Sequence, residues 1–552
     1  MDRNGHVDQQ SVNTTSIETS HIQSDLDDSI RFWELEEKPE HTIFTEEELL
    51  CERHFSETFR RLEEGRYQVD LPFIPDERPV SLGSSRHIAI ARLFGMEKQF
   101  SKNEVLKDNY NKCIAEYLDM NHMEQVNSME LKNQRQQIIS NYLSHHGVIK
   151  ESSSTTKLRV VFDASRPTSN GSSLNGKTLK GPVIQDDLST LLLRFRKYKI
   201  AFTADLEKMY RQIRIAPQHA DYQRVVWRDS PSQSIRDYKL TTVTFGTKSA
   251  PFLATGVLKQ LAIDKKVNYP IASRITLDSF YVDDLLSGAD SIEKALEMQK
   301  QLLNMMASGG FSLRKWSSNA AELLEALPQE HREINWPLKI EEAETVKTLG
   351  IQWDPANDQF SYKISLLEND SRKWTKRTIL SEVSKLFDPL GWLAPCIIIA
   401  KIMIQKLWLL GSGWDDEIER SLHDEWQIYR KTLVHLEALR INRWFYYSTS
   451  ANKIELHGFY DASIKAYAAV VYLVVIDEKG GRKTSMLTAK SKVVPIKTIS
   501  FERRSIIGET YEICPASIEN SKYIEGASLN RFRDRVGLVA GSPEQMDNVY
   551  SK

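Results

Sequence analysis

The sequence predicts an α+β fold built from several domains, and three observations predict it. Short apolar strands and amphipathic helices alternate without the strand–helix–strand repeat of a doubly wound parallel sheet. The segment SFYVDDLLSG is short, apolar on both flanks and hairpin-like, which requires antiparallel neighbours. Beyond Lys453 the pattern changes to three strands with a Gly-Gly turn, the opening of a separate domain. The 552 residues, 41% apolar and 27% charged, accommodate three or four domains of about 150 residues.

Taken in order, residues 1–30 are rich in Ser, Thr, Gln and Asp and form an acidic leader in which disorder is expected. A helical lead-in occupies 31–140. Its first helix runs from a capping Thr45 through acids in the first turn to a terminal Gly65. The extended GRYQVDLPF follows, and a second helical stretch covers about Arg86 to Tyr117. The core region is 141–365. It opens on two strand-like segments, YLSHHGVIKES and KLRVVFDAS, and a Ser/Gly/Asn-rich loop from Ser165 to Pro182. Next come the amphipathic helix DDLSTLLLRFRKYK, whose basic residues read as a solvated face, and a buried strand in IAFTADLEKMY. YKLTTVTFGT alternates as a strand does, and SAPFLATGVLKQLAI starts a helix with Pro251 in its first turn. SIEKALEMQKQLLNMMASGG is a helix closed by glycines, and FSLRKWSSN and TVKTLGIQWD are short strands. Residues 366–450 are mainly helical and broken at FDPLGWLAP; residues 451–500 hold the three late strands; beyond Ser500 the pattern degrades.

No apolar run approaches the roughly 18–20 residues that span a bilayer, and the first residues lack a signal peptide's apolar core, so an intracellular chain is expected. Cys51, Cys113, Cys396 and Cys514 stand far apart, which indicates neither a disulfide framework nor a zinc knuckle. The net charge of −2 divides unevenly: residues 1–50 carry −10 and the rest +8. A modestly basic body is compatible with holding a phosphate backbone, without being evidence for it.

The chemistry rests on carboxylates. Asp283 and Asp284 are adjacent acids on a tight apolar-flanked hairpin, where they would ordinarily repel each other and resist burial. A divalent cation removes that conflict, since Mg²⁺ prefers carboxylate oxygens. The bland alternative is a solvated turn. Asp205 closes a largely apolar strand, and alone it could equally cap the helix at LEKMY. Three such acids on neighbouring strand ends can hold two Mg²⁺ ions for in-line displacement at a phosphate. His145-His146 offers ligands too, but nothing pairs with them.

These motifs, in this order, resemble the reverse transcriptases of LTR retrotransposons, most closely the BEL/Pao group, from about Phe32 to Lys497. The resemblance implies a right-hand polymerase of fingers, palm (141–365) and thumb/connection (366–450), then a truncated RNase H-like α/β domain. In KLRVVFDASRP it implies that Arg159, with Lys157, contacts the triphosphate. In TADLEKMY it makes Asp205 a metal ligand beside the Leu206 carbonyl, with Tyr210 as the gate against a ribose 2′-hydroxyl. VTFGTKSAPFLA supplies Phe245, Gly246 and Pro251 to the nucleotide platform; YVDD supplies Asp283 and Asp284; GGFSLRKWSSN supplies Lys315 near the triphosphate. LGIQWDP is similar to the primer grip, and RFWELEE, GRYQVDLPF, TKRTILSEVSKLFDPLGWLAP and KIMIQKLW fit the group's flanks. The implied cofactor is two Mg²⁺ ions, with Mn²⁺ as the alternative. The implied partners are an RNA template, a DNA primer, deoxynucleoside triphosphates and other polyprotein products, in a cytoplasmic particle or the nucleus, without a membrane.

ELHGFYDASIKAYAAVVYLVV resembles the opening of a retrotransposon ribonuclease H domain, with Asp461 as its first metal carboxylate. The next acid should follow in a Pro-Arg-Leu-Glu-Leu context; the sequence instead reads SFERRSIIGETYEICPASIENS, and neither Glu502 nor Glu509 sits in the pattern. Residues 501–552 read as an aberrant tail, which argues against ribonuclease H activity. The competing reading is a catalytically silent relic or a co-opted nucleic-acid-binding protein; a DNA-dependent polymerase is a third.

Overall fold

The computed structural model describes residues 44–75, 82–127, 140–149, 158–333, 338–340, 351–364, 373–447 and 453–494. The acidic leader, the RFWELEE motif, Lys157, the start of TVKTLGIQWD and the tail with Glu502 and Glu509 lie outside them. Two compact units result, one from 43–187 and 200–336, the other from 188–199 and 337 onward. No helix among the described residues is long and apolar enough to cross a membrane.

In the first unit, Thr45 and Glu48 form a reciprocal capping box on α1 (Glu46–Thr58). The helix ends at Thr58, not at Gly65. Gly65, at φ +92°, instead turns β1 (Arg60–Arg61) back onto β2 (Tyr67–Val69), which buries Tyr67 and Val69. The expected single stretch after Arg86 is two helices, α2 (Arg86–Phe100) and α3 (Glu104–Asp119). The break has a local cause, because the Asn103 side chain accepts the Leu106 N–H and starts a new helix. β3 (Met123–Gln125) follows, then β4 (Ser144–Ile149) paired antiparallel with β5 (Leu158–Asp163). The chain leaves this unit for α4 (Leu188–Lys197) and returns in β6 (Ile200–Leu206).

Beyond β6 a 3₁₀ turn over Met209–Gln212 leads to β7 (Arg214–Ile215), β8 (Arg224–Trp227) and β9 (Arg236–Leu240). Two helices follow, α5 (Ala250–Asp264) and α6 (Pro270–Asp278). The second was not anticipated, although Pro270 occupies its first turn. β10 (Phe280–Tyr281), β11 (Asp284–Ala289), α7 (Ile292–Ala307) and β12 (Leu313–Ser318) complete the unit. The sheet that carries the predicted acids is antiparallel, in the order β10-β11-β6-β12. β6 is buried from Ala201 to Ala204 and comes partly to the surface again at Asp205.

In the second unit α4 packs with a sheet ordered β13 (Leu338–Ile340), β14 (Ile351–Asp354), β15 (Gln359–Tyr362) and β16 (Ile441–Asn442). Phe195 meets the Trp353 ring edge-on at 4.9 Å. Arg443, fully buried, pairs bidentately with Asp358 at 2.6 and 2.8 Å and donates to the Phe195 and Tyr198 carbonyls, closing the C-terminus of α4. The solvated-face expectation for this helix fails at Arg196, which is 1% exposed. Arg196 donates to the carbonyls of Asn442, Arg443 and Met486, and those bonds are what permit its burial. Three helices, α8 (Lys376–Val383), α9 (Ala394–Leu409) and α10 (Arg420–Leu433), share a core around Trp374, Trp408 and Trp426. The last strands, β17 (Lys453–Ala462), β18 (Ala466–Ile476) and β19 (Arg482–Val493), form an antiparallel meander.

Candidate active site

The tip of the β10–β11 hairpin lies against the end of β6. Tyr281 pairs with Asp284 across the turn, Asp284 pairs with Asp205, and the Leu206 N–H donates to the Asp283 carbonyl at 2.9 Å. Residues directly opposite on antiparallel strands point to the same face, so Asp205 and Asp284 are side by side. Val282 forms the corner at φ +56°, a conformation that a β-branched side chain adopts only under constraint. Its N–H donates to Gln185 Oε1 at 2.8 Å. On the other side of β6, the register of β12 shifts between Arg314 and Ser317, with Lys315 at φ +52° inside the irregularity. A bulge of this kind re-aims a side chain. Here it sets Lys315 Nζ 3.1 Å from Asp205 Oδ2. Lys208, Val282 and Lys315 are three of the six non-glycine residues at positive φ among the described residues, so backbone strain gathers at this site.

The charges are coupled. Burial, then the nearby Asp205 charge, pushes the Asp283 carboxyl up to about 6, against the pull of Arg159 and Lys315. Burial pulls the Lys315 ammonium down, but the charge and hydrogen bond of Asp205 outweigh it and its pKa rises. Asp205 and Asp283 thus repel each other, and their carboxylates, like that of Asp284, carry hard oxygens of the kind Mg²⁺ prefers. They do not close into a cage: among the described residues no group of three His, Cys, Asp or Glu side chains is gathered tightly enough to hold a metal ion. Bare carboxylates at close range repel. The positive charge brought to Asp205 in this geometry is the Lys315 ammonium.

The remaining predicted residues border this group. Arg159 is exposed on β5, and its charge is felt at Asp283. Tyr210 lies in the 3₁₀ turn, 9% exposed, with its ring centroid 4.6 Å from that of Phe245. Gly246 has φ +104°, and a Cβ there would stand 1.8 Å from the Phe162 carbonyl oxygen, so the Phe245 loop lies directly on β5. Pro251 sits in the first turn of α5. Sequence reasoning missed Gln185, which anchors the strained corner, and Arg211, which follows Tyr210. Arg211 pairs with Glu116 at 2.7 Å, donates to His122 Nδ1 and lies 3.9 Å over the Tyr117 ring. Only adjacency to Tyr210 could have flagged it.

Asp461 is exposed near the end of β17, where its carboxylate accepts the Ala462 N–H at 2.8 Å. His145 is a core residue: it meets the Tyr110 hydroxyl through Nδ1 and the Val226 carbonyl through Nε2.

No curated protein matches the chain. Among solved structures it is similar to the foamy viral protease-reverse transcriptase dRH in complex with double-stranded DNA, at 14% identity and a TM-score of 0.43. That likeness covers 71% of this chain and 58% of the other, and at such a score it carries no argument. The family comparison is more direct: residues 375–512 match the Pao retrotransposon-like RNaseH-like domain, a span that takes in α8, α9, α10 and the β17–β19 meander. That match likens residues 375–512 to the corresponding region of Pao-type retroelements.

Proposed function

We propose that the chain is an RNA-directed DNA polymerase, which joins deoxynucleotides to a primer 3′-hydroxyl along an RNA template. The observation that carries this reading is that the strand ends bearing Asp205 and Asp283-Asp284 adjoin, with the Lys315 ammonium on the Asp205 carboxylate. Asp205, Asp283 and Asp284 are the residues that would hold two Mg²⁺ ions, once their carboxylates draw together around them in place of the Lys315 contact. Bound there, the ions would lower the pKa of the primer hydroxyl and neutralise charge on the triphosphate.

The chain's own residues do the rest. Lys315 and Arg159 place positive charge around the acids, where a triphosphate needs it. Tyr210, its ring 4.6 Å from that of Phe245, stands five residues beyond Asp205, the position at which a deoxyribose would be distinguished from a ribose. The substrates are then deoxynucleoside triphosphates, and the partners an RNA template and a DNA primer. The Pao-type relationship found over 375–512 supports this choice over a repair polymerase.

Extension of oligo(dT) on poly(rA) by the purified chain tests the reading. Tyr210→Ala should admit ribonucleotides, lowering discrimination by about tenfold or more, as loss of one steric contact allows. A folded wild type that binds the hybrid without extending it would refute the assignment.

A further inference from the structure

The loop that carries Phe245 is held from two sides. On one side Gly246 rests on the Phe162 carbonyl of β5. On the other stands Asn175, in the helical turn Leu174–Lys177 within the Ser/Gly/Asn-rich loop. Asn175 Nδ2 donates to the Gly246 carbonyl at 3.0 Å and to Ser165 Oγ at 2.8 Å. Asn175 Oδ1 accepts the Lys248 N–H at 2.8 Å, and its own backbone N–H donates to the Ala164 carbonyl at 2.9 Å. One planar amide thus grips a backbone carbonyl and a backbone N–H on either side of Thr247, while its main chain is fixed to the end of β5. This requires a donor and an acceptor on one short side chain. Asp lacks the donor, Ser lacks the reach, and Ala lacks both.

We propose that Asn175 is a positioning residue for nucleotide selection, acting through the Phe245 ring on Tyr210. The inference rests on the polymerase reading. Tyr210 cannot be a rigid wall unless Phe245, 4.6 Å behind it, is itself fixed. Phe245 belongs to a short irregular segment whose side-chain anchor is the Asn175 amide. Without the two amide bonds the loop gains freedom, the ring behind Tyr210 recedes, and a larger sugar is tolerated. The chemistry at the acids is left alone.

The test measures incorporation of dCTP and CTP by the full chain on an RNA template with a DNA primer, for wild type, Asn175→Ala and Asn175→Asp. Losing the two hydrogen bonds to the Phe245 loop predicts a KM for dCTP about tenfold higher in Asn175→Ala. Its kcat should stay within about twofold, and the preference for dCTP should fall about tenfold, since only positioning is lost. Asn175→Asp keeps the acceptor for Lys248 and should fall between. Hydrogen exchange at 242–249, read on the same samples, should quicken in both variants. Wild-type KM and sugar preference in folded variants would overturn the proposal. So would a fall in kcat alone, or failure of both variants to fold, because either would mark Asn175 as merely structural. A wild type that extends no primer strikes the polymerase reading instead. The tether then stands on hydrogen exchange, and unchanged exchange at 242–249 would dispose of it too.

Discussion

Two antiparallel sheets in this chain each carry an aspartate near the end of a strand, and their surroundings could hardly differ more. Asp205 ends β6, a strand buried on both faces, with Asp284 opposite it, the Asp283 backbone against it and Lys315 on its carboxylate. Asp461 lies exposed near the end of β17, accepting one bond from its neighbour Ala462. Around it Phe459, Tyr460 and Tyr467 are 43%, 48% and 38% exposed, whereas β6 buries Phe202 completely. Position on a strand is therefore not what perturbs an acid. Repulsion from a second acid, partial burial and a nearby cation are what act on its proton affinity. Asp283, pushed up to about 6, has all three.

The sharpest way to break this comparison is to remove one acid from each sheet. Asp205→Asn or Asp283→Asn should cut nucleotide incorporation by about 10³-fold or more, since metal-borne charge stabilisation is worth several kcal/mol. Asp461→Asn should leave incorporation unchanged, as steady-state extension assays would show. Equal losses from both would mean the two sites are not chemically distinct.

A second contrast uses one glycine from each unit. A Cβ at Gly246 would lie 1.8 Å from the Phe162 oxygen, and one at Gly391 would lie 1.7 Å from the Ala489 oxygen. Both glycines have positive φ, so each alanine variant should lose roughly 2–4 kcal/mol, from backbone strain plus a contact with main chain that cannot yield. Incorporation at a permissive temperature should suffer in Gly246→Ala and survive in Gly391→Ala. Thermal melting together with activity measures both halves.

The mildest contrast is in pH. Burial, its largest cause, holds His145 down to about 4, so its neutral form stabilises the fold above the unfolded value near 6.5. That stability, on the order of 3 kcal/mol, is lost as pH falls through 4. Burial raises Asp388 to about 6, against the hydrogen bonds it accepts from the Leu393 and Trp392 N–H groups. Its contribution is fully present below about 3.9 and is lost as pH rises through 6. Moving from pH 7 to 4 should thus loosen the unit around His145 and tighten the one around Asp388. Hydrogen exchange at 144–149 and 386–394, corrected for intrinsic rates, would record opposite trends.

Much of this was legible in the sequence where local chemistry decides the structure. Thr45 and Glu48 announce a capped helix, the adjacent acids in YVDD announce a hairpin, and Gly480-Gly481 turns β18 into β19. The strand before Asp205 and the hairpin at YVDD were both legible, and they pair as β6 and β11. What stayed hidden depends on residues distant in sequence. Nothing near Arg196 reveals that carbonyls some 250 to 290 positions away will let it be buried. Nothing near Gln185 reveals that it will anchor Val282, 97 positions on. Nor does the spacing of Asp205, Asp283 and Asp284 reveal that the Lys315 ammonium will be turned onto Asp205 by an irregularity in β12.

The most direct test of the account puts both sheets to work in one tube. The purified chain is given Mg²⁺, deoxynucleotides and a DNA primer on an end-labelled RNA template, and both strands are resolved on one gel. The account predicts a primer extended to the template end on RNA that remains whole, with extension abolished in Asp283→Asn. RNA cut while the primer stays unextended would contradict it, for the exposed acid on β17 would then be the working one.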